Sequence, residues 1–470
     1  MSAAERPAVA VTVIDTASLG DRSYLADDGT VALVVDPQRD IDRVVALAAG
    51  RGVRITHVFE THLHNDYVTG GLALARATGA AYHVNAADAV AFDRVPAGDG
   101  DVVEVSPAMR VRVLATPGHT FTHLSYVLEA AGQPLAVFTG GSLLYGSTGR
   151  TDLLGAAHAS ELAHAQYASA HRLAGALPEE AAVYPTHGFG SFCAATQAQG
   201  GSSTIGQQKQ VNPALALGEQ EYVEALLAGL DAYPAYYAHM GTLNAAGPAS
   251  PDLSAPRRAG AAELRRRIDA GEWVADLRTR TAFAAGHLAG TFSFPLDGSF
   301  ATYLGWLIPW GTPLTLLGDT PGQVATAQRE LARIGIDRLE AAATGHPQDW
   351  AGRQPLASLP LARFSDLATA IAASHHHDHP VVLDVRRQLE WEQSHIAGAV
   401  HIPLHDLPGR LADVPPGHVW VHCRTGYRAI VAASILTAAG RHVTSIDDDY
   451  DHAGDTGLPL TTPTPKEAAA

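Results

Sequence analysis

Two histidines one residue apart, His62-Leu63-His64, with Asp66 two positions further on, form a metal-binding arrangement. At the end of a strand, residues two apart point the same way, so both imidazoles leave the loop together. His119 follows in Thr116-Pro117-Gly118-His119, where Pro and Gly fix a tight turn, and His187 in Pro185-Thr186-His187-Gly188. Neutral imidazole suits Zn, Fe or Cu(II), and three converging histidines leave coordination positions open for a substrate. A second chemistry stands near the C-terminus, in His422-Cys423-Arg424-Thr425-Gly426-Tyr427-Arg428. A cysteine between a strand and a helix N-terminus is wrapped by backbone N–H groups, and Arg424 and Arg428 add positive charge. These features draw the thiol toward a nucleophilic thiolate. A metal centre and a sulfur-carrying cysteine on one chain point to sulfur chemistry in two steps.

Each cluster needs a strand to place it. Strands are expected over Val9 to Ile14, Val31 to Val35, Ile55 to Thr61, Val111 to Ala115, Leu135 to Thr139 and Val183-Tyr184. Helices are expected over Asp40 to Gly50 and Gly71 to Thr78. Every polar cluster then falls just past a strand, where active-site loops gather on layered α/β folds. His418 to His422 reads as a buried strand and Ala429 to Ala439 as an apolar helix, with the Cys423 loop between them.

A chain of 470 residues exceeds one hydrophobic core. Residues Gly247 to Arg258 are rich in Pro, Ser, Ala and Gly and read as a domain boundary. Beyond it lies a repeat. Asp276 and Asp384, His287 and His395, and Pro295 and Pro403 each recur at an offset of 108 within matching segments. Two tandem domains of about 100 residues are the simplest reading. The short tract Ser374 to His379 before the second copy reads as a solvated loop.

The net charge of −16 disfavours nucleic acid and anionic membrane surfaces as partners. No apolar run reaches the length of a membrane span, and no basic-then-apolar leader opens the chain. The two cysteines, Cys193 and Cys423, fit a reducing compartment, so a cytoplasmic location is expected. Cys193 has no adjoining basic residue and reads as a buried structural thiol. Arg150 and Asp152 are open to two readings: Arg150 clamping a substrate carboxylate, or an Arg-Asp pair pinning the loop.

Roughly residues 8 to 245 resemble the metallo-β-lactamase fold superfamily. The run of Asp36-Pro37-x-Arg39-Asp40, Thr61-His62-x-His64-x-Asp66, Thr116-Pro117-Gly118-His119, Gly149-Arg150-Thr151-Asp152, Pro185-Thr186-His187-Gly188 and Ser203-Thr204-Ile205-Gly206 is similar to its persulfide dioxygenase branch. The resemblance implies one iron(II), with zinc the alternative ion, on His62, His64 and His119. Asp66 and His187 are candidates for a ligand or for the layer behind the ligands. Arg150 and Tyr67 are candidates for holding substrate. Residues 360 to 463 resemble a rhodanese sulfurtransferase domain through Leu383-Asp384-Val385-Arg386, His395-Ile396-Ala397-Gly398-Ala399, Ile402-Pro403-Leu404, the Cys423 to Arg428 loop and Gly457-Leu458-Pro459. That family's cysteine carries a sulfane sulfur, which gives Cys423, Arg424 and Arg428 catalytic roles. Four residues separate Cys423 from Arg428, one fewer than the similar cysteine phosphatases need for a tetrahedral phosphate. Residues 258 to 352 also resemble rhodanese, but their equivalent loop is Leu317-Gly318-Asp319-Thr320, with no cysteine.

The expected architecture is therefore α/β and multidomain. An αββα metallo-β-lactamase-like sandwich (1–246) precedes two rhodanese-like domains with central parallel sheets, the first (258–352) without the active cysteine and the second (360–463) with Cys423. The implied activity is oxidation of a low-molecular-weight persulfide to sulfite with dioxygen, coupled to sulfur transfer through Cys423. Glutathione or another thiol is the implied co-substrate, and a homo-oligomer the implied assembly. Two departures from the superfamily pattern matter. Tyr67 stands where a second-metal histidine belongs, which disfavours a dinuclear thioester hydrolase. Gly141 stands where an aspartate ligand belongs. The centre is then either an active three-histidine site or a decayed one whose chain acts only as a sulfurtransferase.

Overall fold

The computed structural model describes residues 9–197, 200–297, 299–374 and 379–461. The chain forms two compact units: one runs to Asp252 and includes Arg329–Asp337; the other holds Leu253–Gln328 and the remainder from Arg338.

The first unit holds two six-stranded sheets. In the first sheet Ala10–Thr16, Asp21–Asp27 and Val31–Val35 pair antiparallel, and Arg54–Phe59, Ala81–Asn85 and Val95–Ala97 continue it in parallel. The second runs Ser203–Thr204, Ala182–Pro185, Gln133–Gly140, Leu124–Ala130, Met109–Ala115 and Val102–Ser106, with only the pair between Gln133–Gly140 and Ala182–Pro185 parallel. Period-two alternation sorts the layers. Tyr24, Ala26, Leu33 and Val35 face inward and pack with Val111, Tyr126 and Phe138 of the other sheet. Their neighbours Leu25, Ala32 and Val34 face outward, against Val44 of helix Asp42–Arg51 and Leu72 of helix Gly71–Thr78. On the far side Val127, Val137 and Val183 pack on helices Ala159–Ala176 and Glu219–Ala228. The result is a four-layer αββα sandwich.

The second unit repeats one topology. A four-stranded parallel sheet has the order Phe292–Ser293, Trp273–Asp276, Leu314–Gly318, Leu339–Thr344. A five-stranded parallel sheet has the matching order Val400–His401, Val381–Asp384, Val419–His422, Val443–Ile446, then Leu361–Ala362. The repeated Asp-x-Arg motif has one job in both copies. Asp276 is buried against Arg278, whose guanidinium also reaches the carbonyl of Gly286; Asp384 and Arg386 do the same with Ser394. The motif closes the turn after Trp273–Asp276 in one sheet and Val381–Asp384 in the other, so it marks fold rather than chemistry.

Among the described residues no helix is long and apolar enough to cross a membrane. Of the tract Ser374 to His379, residues 375–378 lie outside the described residues.

Candidate functional site

Four imidazoles meet at the strand ends of the sandwich. His62 and His64 follow Arg54–Phe59, His119 lies in the loop after Met109–Ala115, and His187 follows Ala182–Pro185. All four are buried. Their ring centroids lie 4.1 Å (62–64), 4.8 Å (62–119), 5.3 Å (62–187 and 119–187) and 5.5 Å (64–187) apart.

The hydrogen bonds assign each tautomer. His119 Nδ1 donates to the carbonyl of Arg150 at 2.8 Å, leaving Nε2 buried and unpartnered. His62 Nδ1 donates to Thr61 Oγ1 at 2.9 Å, because that hydroxyl already donates to Asp36 Oδ2. His64 Nε2 lies 2.9 Å from the Tyr67 hydroxyl, which donates onward to the carbonyl of Asp36, so Nδ1 is the unpartnered nitrogen. His187 Nδ1 donates to Asp21 Oδ1 at 2.9 Å and faces Asp66 Oδ2 at 3.1 Å. Two groups of potential ligand atoms result, His62, His64 and His187 in one and His119, His187 and Cys193 in the other, each within 4.8 Å. Nε2 of His62 and Nε2 of His187 face each other at 3.4 Å. Two lone pairs at that distance attract only through a shared cation, a proton or a metal ion. Each imidazole is also held from behind by an oxygen, as metal-bound histidines are. The donor set fits a soft-to-borderline divalent ion such as iron(II) or zinc.

Charge follows the same division. Burial and the neighbouring imidazoles push His62 well below its ordinary range, and burial with the charge of His187 lowers His119 to about 3. Burial also opposes a charge on His64 and His187. Asp36 and Glu60 outweigh it at His64, lifting it to about 9; Asp66 and Asp21 do so at His187, lifting it to about 10.

The anchor of the cavity is Asp36, at φ +51° past the end of Val31–Val35. Its carboxylate accepts from Thr61 N (2.7 Å), Thr61 Oγ1 (2.8 Å) and Thr186 Oγ1, joining the loops of both sheets. Glu60 is a second buried carboxylate behind His64. Its Oε1 is taken by Thr69 and Tyr82, and its Oε2 lies 3.3 Å from His64 Nε2 with no other partner.

Gly141 has a physical reason. A Cβ there would overlap the His119 ring at Cδ2 and Cγ, and one at Gly149 would meet the same ring at Nδ1 and Cγ. The ring packs directly on both glycines, so the space of the missing aspartate side chain belongs to His119. His123, four residues on, takes the Gly141 N–H on Nε2 at 3.0 Å and bonds Thr116 through Nδ1, so it braces the loop and has no nitrogen left for a metal.

Two expectations are corrected here, and a third is extended. Tyr67 lies behind His64 and is fully buried, so it positions a histidine and does not face a substrate. Arg150 spends four N–H donors on Asp152 (twice) and the carbonyls of Phe192 and Asp231, with Tyr233 under its plane at 4.6 Å. It pins its loop, leaving no fork for a substrate carboxylate. Cys193 is buried as expected, but its sulfur, His119 and His187 offer ligand atoms within 4.8 Å of one another. Burial and the charges of Asp66 and Asp21 push this thiol well above its ordinary range. Sequence reasoning passed over Glu60, His123 and Asp21 because each acts behind a histidine or a loop amide, in an orientation that only the fold sets.

In the second unit Cys423 sits between strand Val419–His422 and helix Tyr427–Ala438, 2% exposed, and accepts the Gly426 N–H on Sγ at 3.2 Å. Arg428 is bound by Glu390 through two bonds of 2.5 and 2.7 Å. Arg424, expected to act beside Cys423, is half exposed and bonds Asp451 at 2.6 Å. Beside Arg428 a pocket is lined by Arg387, Leu404 and His405 of the second copy and by Tyr303 and Trp306 of the first.

Glu390 offers a check on this loop. Burial would raise its carboxyl, but Arg428 and Arg387 hold it at about 2 against an ordinary 4.5. A depressed carboxylate stabilises the fold fully above 4.5, and that contribution is lost as pH falls toward 2. Glu390→Gln is expected to cost on the order of 3 kcal/mol at neutral pH, because Arg428 stays buried without its partner. Urea unfolding at pH 7 and pH 3 should show the gap between variant and parent shrinking in acid.

The family of metallo-beta-lactamases matches residues 13–187, and a rhodanese-like domain matches residues 367–452. A hydroxyacylglutathione hydrolase of Pseudomonas entomophila (strain L48) is 31% identical over 210 residues, covering 40% of this chain and 77% of that protein. The chain belongs to the metallo-beta-lactamase superfamily. To its metallo-beta-lactamase domain a rhodanese-like domain is fused. The mitochondrial persulfide dioxygenase ETHE1 of Homo sapiens is 27% identical over 240 residues, 51% of this chain and 80% of the relative. A crystal structure of a metallo-beta-lactamase from Staphylococcus aureus subsp. aureus COL superposes with TM-score 0.65 at 25% identity, covering 72% of this chain and 100% of that one. The chain spans 57% of the length of two further hydroxyacylglutathione hydrolases that it matches.

Proposed function

We propose that this chain is an enzyme of sulfur metabolism that oxidises a low-molecular-weight persulfide and moves sulfane sulfur through Cys423. The observation that carries the oxidative half is the set of four buried imidazoles, with His187 within ligand distance both of the His62 and His64 pair and of His119. His62, His64, His119 and His187 are the residues that would hold an iron(II). Bound there, iron would supply a coordination site for the persulfide sulfur and for dioxygen. The reaction balances as RSSH + O2 + H2O → RSH + sulfite + 2 H+, the terminal sulfur being oxidised and dioxygen reduced. Burial of the histidine cluster excludes bulk water from the reacting sulfur. Cys193 stands at this cavity and Cys423 in the other unit, so each chemistry has its own sulfur.

At Cys423 the sulfur of the thiolate attacks the outer sulfur of a persulfide or thiosulfate. The bond from that sulfur to its donor breaks, and the electron pair leaves on the donor thiolate or sulfite. Glutathione or a similar thiol is the proposed carrier, and a homo-oligomer the proposed assembly.

Asp66 and His187 also share this cavity, which favours thioester hydrolysis as the second reading. Oxygen consumption separates the two. Fe(II)-loaded protein given glutathione persulfide is expected to take up oxygen and form sulfite, and His62→Ala to fall at least about 100-fold. Thiol release from a glutathione thioester without oxygen uptake would establish the hydrolase instead. No uptake, with thiosulfate-to-cyanide transfer intact, would leave only the Cys423 activity.

A further inference from the structure

We infer that Arg280, in the cysteine-free copy, is a positioning residue for Cys423, an inference that rests on the sulfur-transfer reading. The peptide joining Thr425 to Gly426 carries both observations. Its N–H donates to Cys423 Sγ at 3.2 Å, and its carbonyl oxygen accepts from Arg280 Nη1 at 2.8 Å. A peptide unit is planar, so holding its oxygen fixes the direction of its N–H. A cation at the oxygen also polarises the unit and makes the N–H a stronger donor to a sulfur anion.

The loop needs such a hold. Gly426 sits at φ +90°, and Asp447 Oδ1 lies where its Cβ would be, so only glycine fits. Glycine lets the preceding peptide rotate at little cost. The glycine torsion therefore does little to keep the N–H on the sulfur. Arg280 Nε also lies 3.1 Å from Asp447 Oδ1, so the same guanidinium offsets a carboxylate that would otherwise repel a thiolate.

Local structure does not explain the residue. Arg280 opens helix Arg280–Ala285, and a cation at a helix N-terminus opposes the dipole. The repeat does not explain it either: the position 108 residues on is Gln388. The copy without a cysteine thus supplies the group that aims an amide at the cysteine of the other.

The test uses the full-length chain. Iodoacetamide labelling of Cys423, followed on its own peptide by mass spectrometry, is measured from pH 5 to 9, alongside single-turnover sulfur loading from thiosulfate. Arg280→Ala is expected to slow both about threefold to tenfold at pH 7, the range one such hydrogen bond commands. Its labelling curve should move to higher pH while the thermal midpoint stays near the parent's. Arg280→Lys should recover part of the rate, and Asp447→Asn, which keeps the bond to Thr425, should not fall. A labelling curve for Arg280→Ala that overlays the parent's overturns the inference. So does an equal loss in Asp447→Asn, which would reduce Arg280 to a charge partner. If Arg280→Ala does not fold, Arg280→Gln with the same two readouts decides. Parent protein that moves no sulfur would sink the reading of Cys423, while the labelling curves would still decide the role of Arg280.

Discussion

Cys423→Ser is expected to lose sulfur transfer by about three orders of magnitude or more, while Fe(II)-dependent oxygen uptake stays within about twofold of the parent. The first half follows from the chemistry. Serine cannot form the persulfide, and its alkoxide is far harder to reach than a thiolate held by the Gly426 amide. The second half follows from where the residues lie. His62, His64, His119, His187 and the groups that hold them, Asp21, Asp36, Asp66, Tyr67 and Arg150, all belong to the unit without Cys423. The measurement is a pair of rates on one preparation: thiosulfate-to-cyanide transfer, and oxygen uptake with glutathione persulfide. Equal loss of both rates would refute two separable sites.

The second large effect is a repair that should fail. Gly141→Asp restores the carboxylate that the superfamily pattern carries, and charge alone would then predict tighter metal binding. Packing predicts the opposite. A side chain at position 141 enters the space of the His119 ring, which also lies against Gly149. The ring must leave its bond to the Arg150 carbonyl, and Nε2 loses its aim. Metal affinity is expected to fall at least about 10- to 100-fold, the range seen when a ligating histidine loses its support. Chelator competition with cobalt(II) or zinc measures it. Gly141→Ala is the informative partner, because a single methyl brings the overlap without the charge. If Gly141→Asp binds metal more tightly than the parent, the position is a true vacancy and the centre a decayed one.

Much of this protein was legible in its residues. The strand Val31–Val35 was readable because a short apolar run bounded by turn residues suits a buried strand, whereas the strand Asp21–Asp27, with polar residues at both ends, was not read. The His62-x-His64 spacing, the Pro-Gly turn before His119 and the cysteine loop before an apolar helix were readable for a similar reason: each is a local arrangement, complete within a few residues. The 108-residue repeat announced two copies of one topology.

What tertiary structure decided is the direction in which groups face. Arg150 and Asp152 read equally well as a substrate clamp or a pin until Asp231, 81 residues on, and Phe192 took two more of the N–H groups. Tyr67 read as a substrate contact until its hydroxyl was found on the rear nitrogen of His64. Gly141 read as a loss until His119 was found in its space. Arg280 carried no signal at all, since its partner Thr425 lies 145 residues away. Spacing along a chain determines which side chains leave an element together. Which nitrogen keeps its lone pair, and which guanidinium has a donor to spare, is determined by neighbours that only folding brings near.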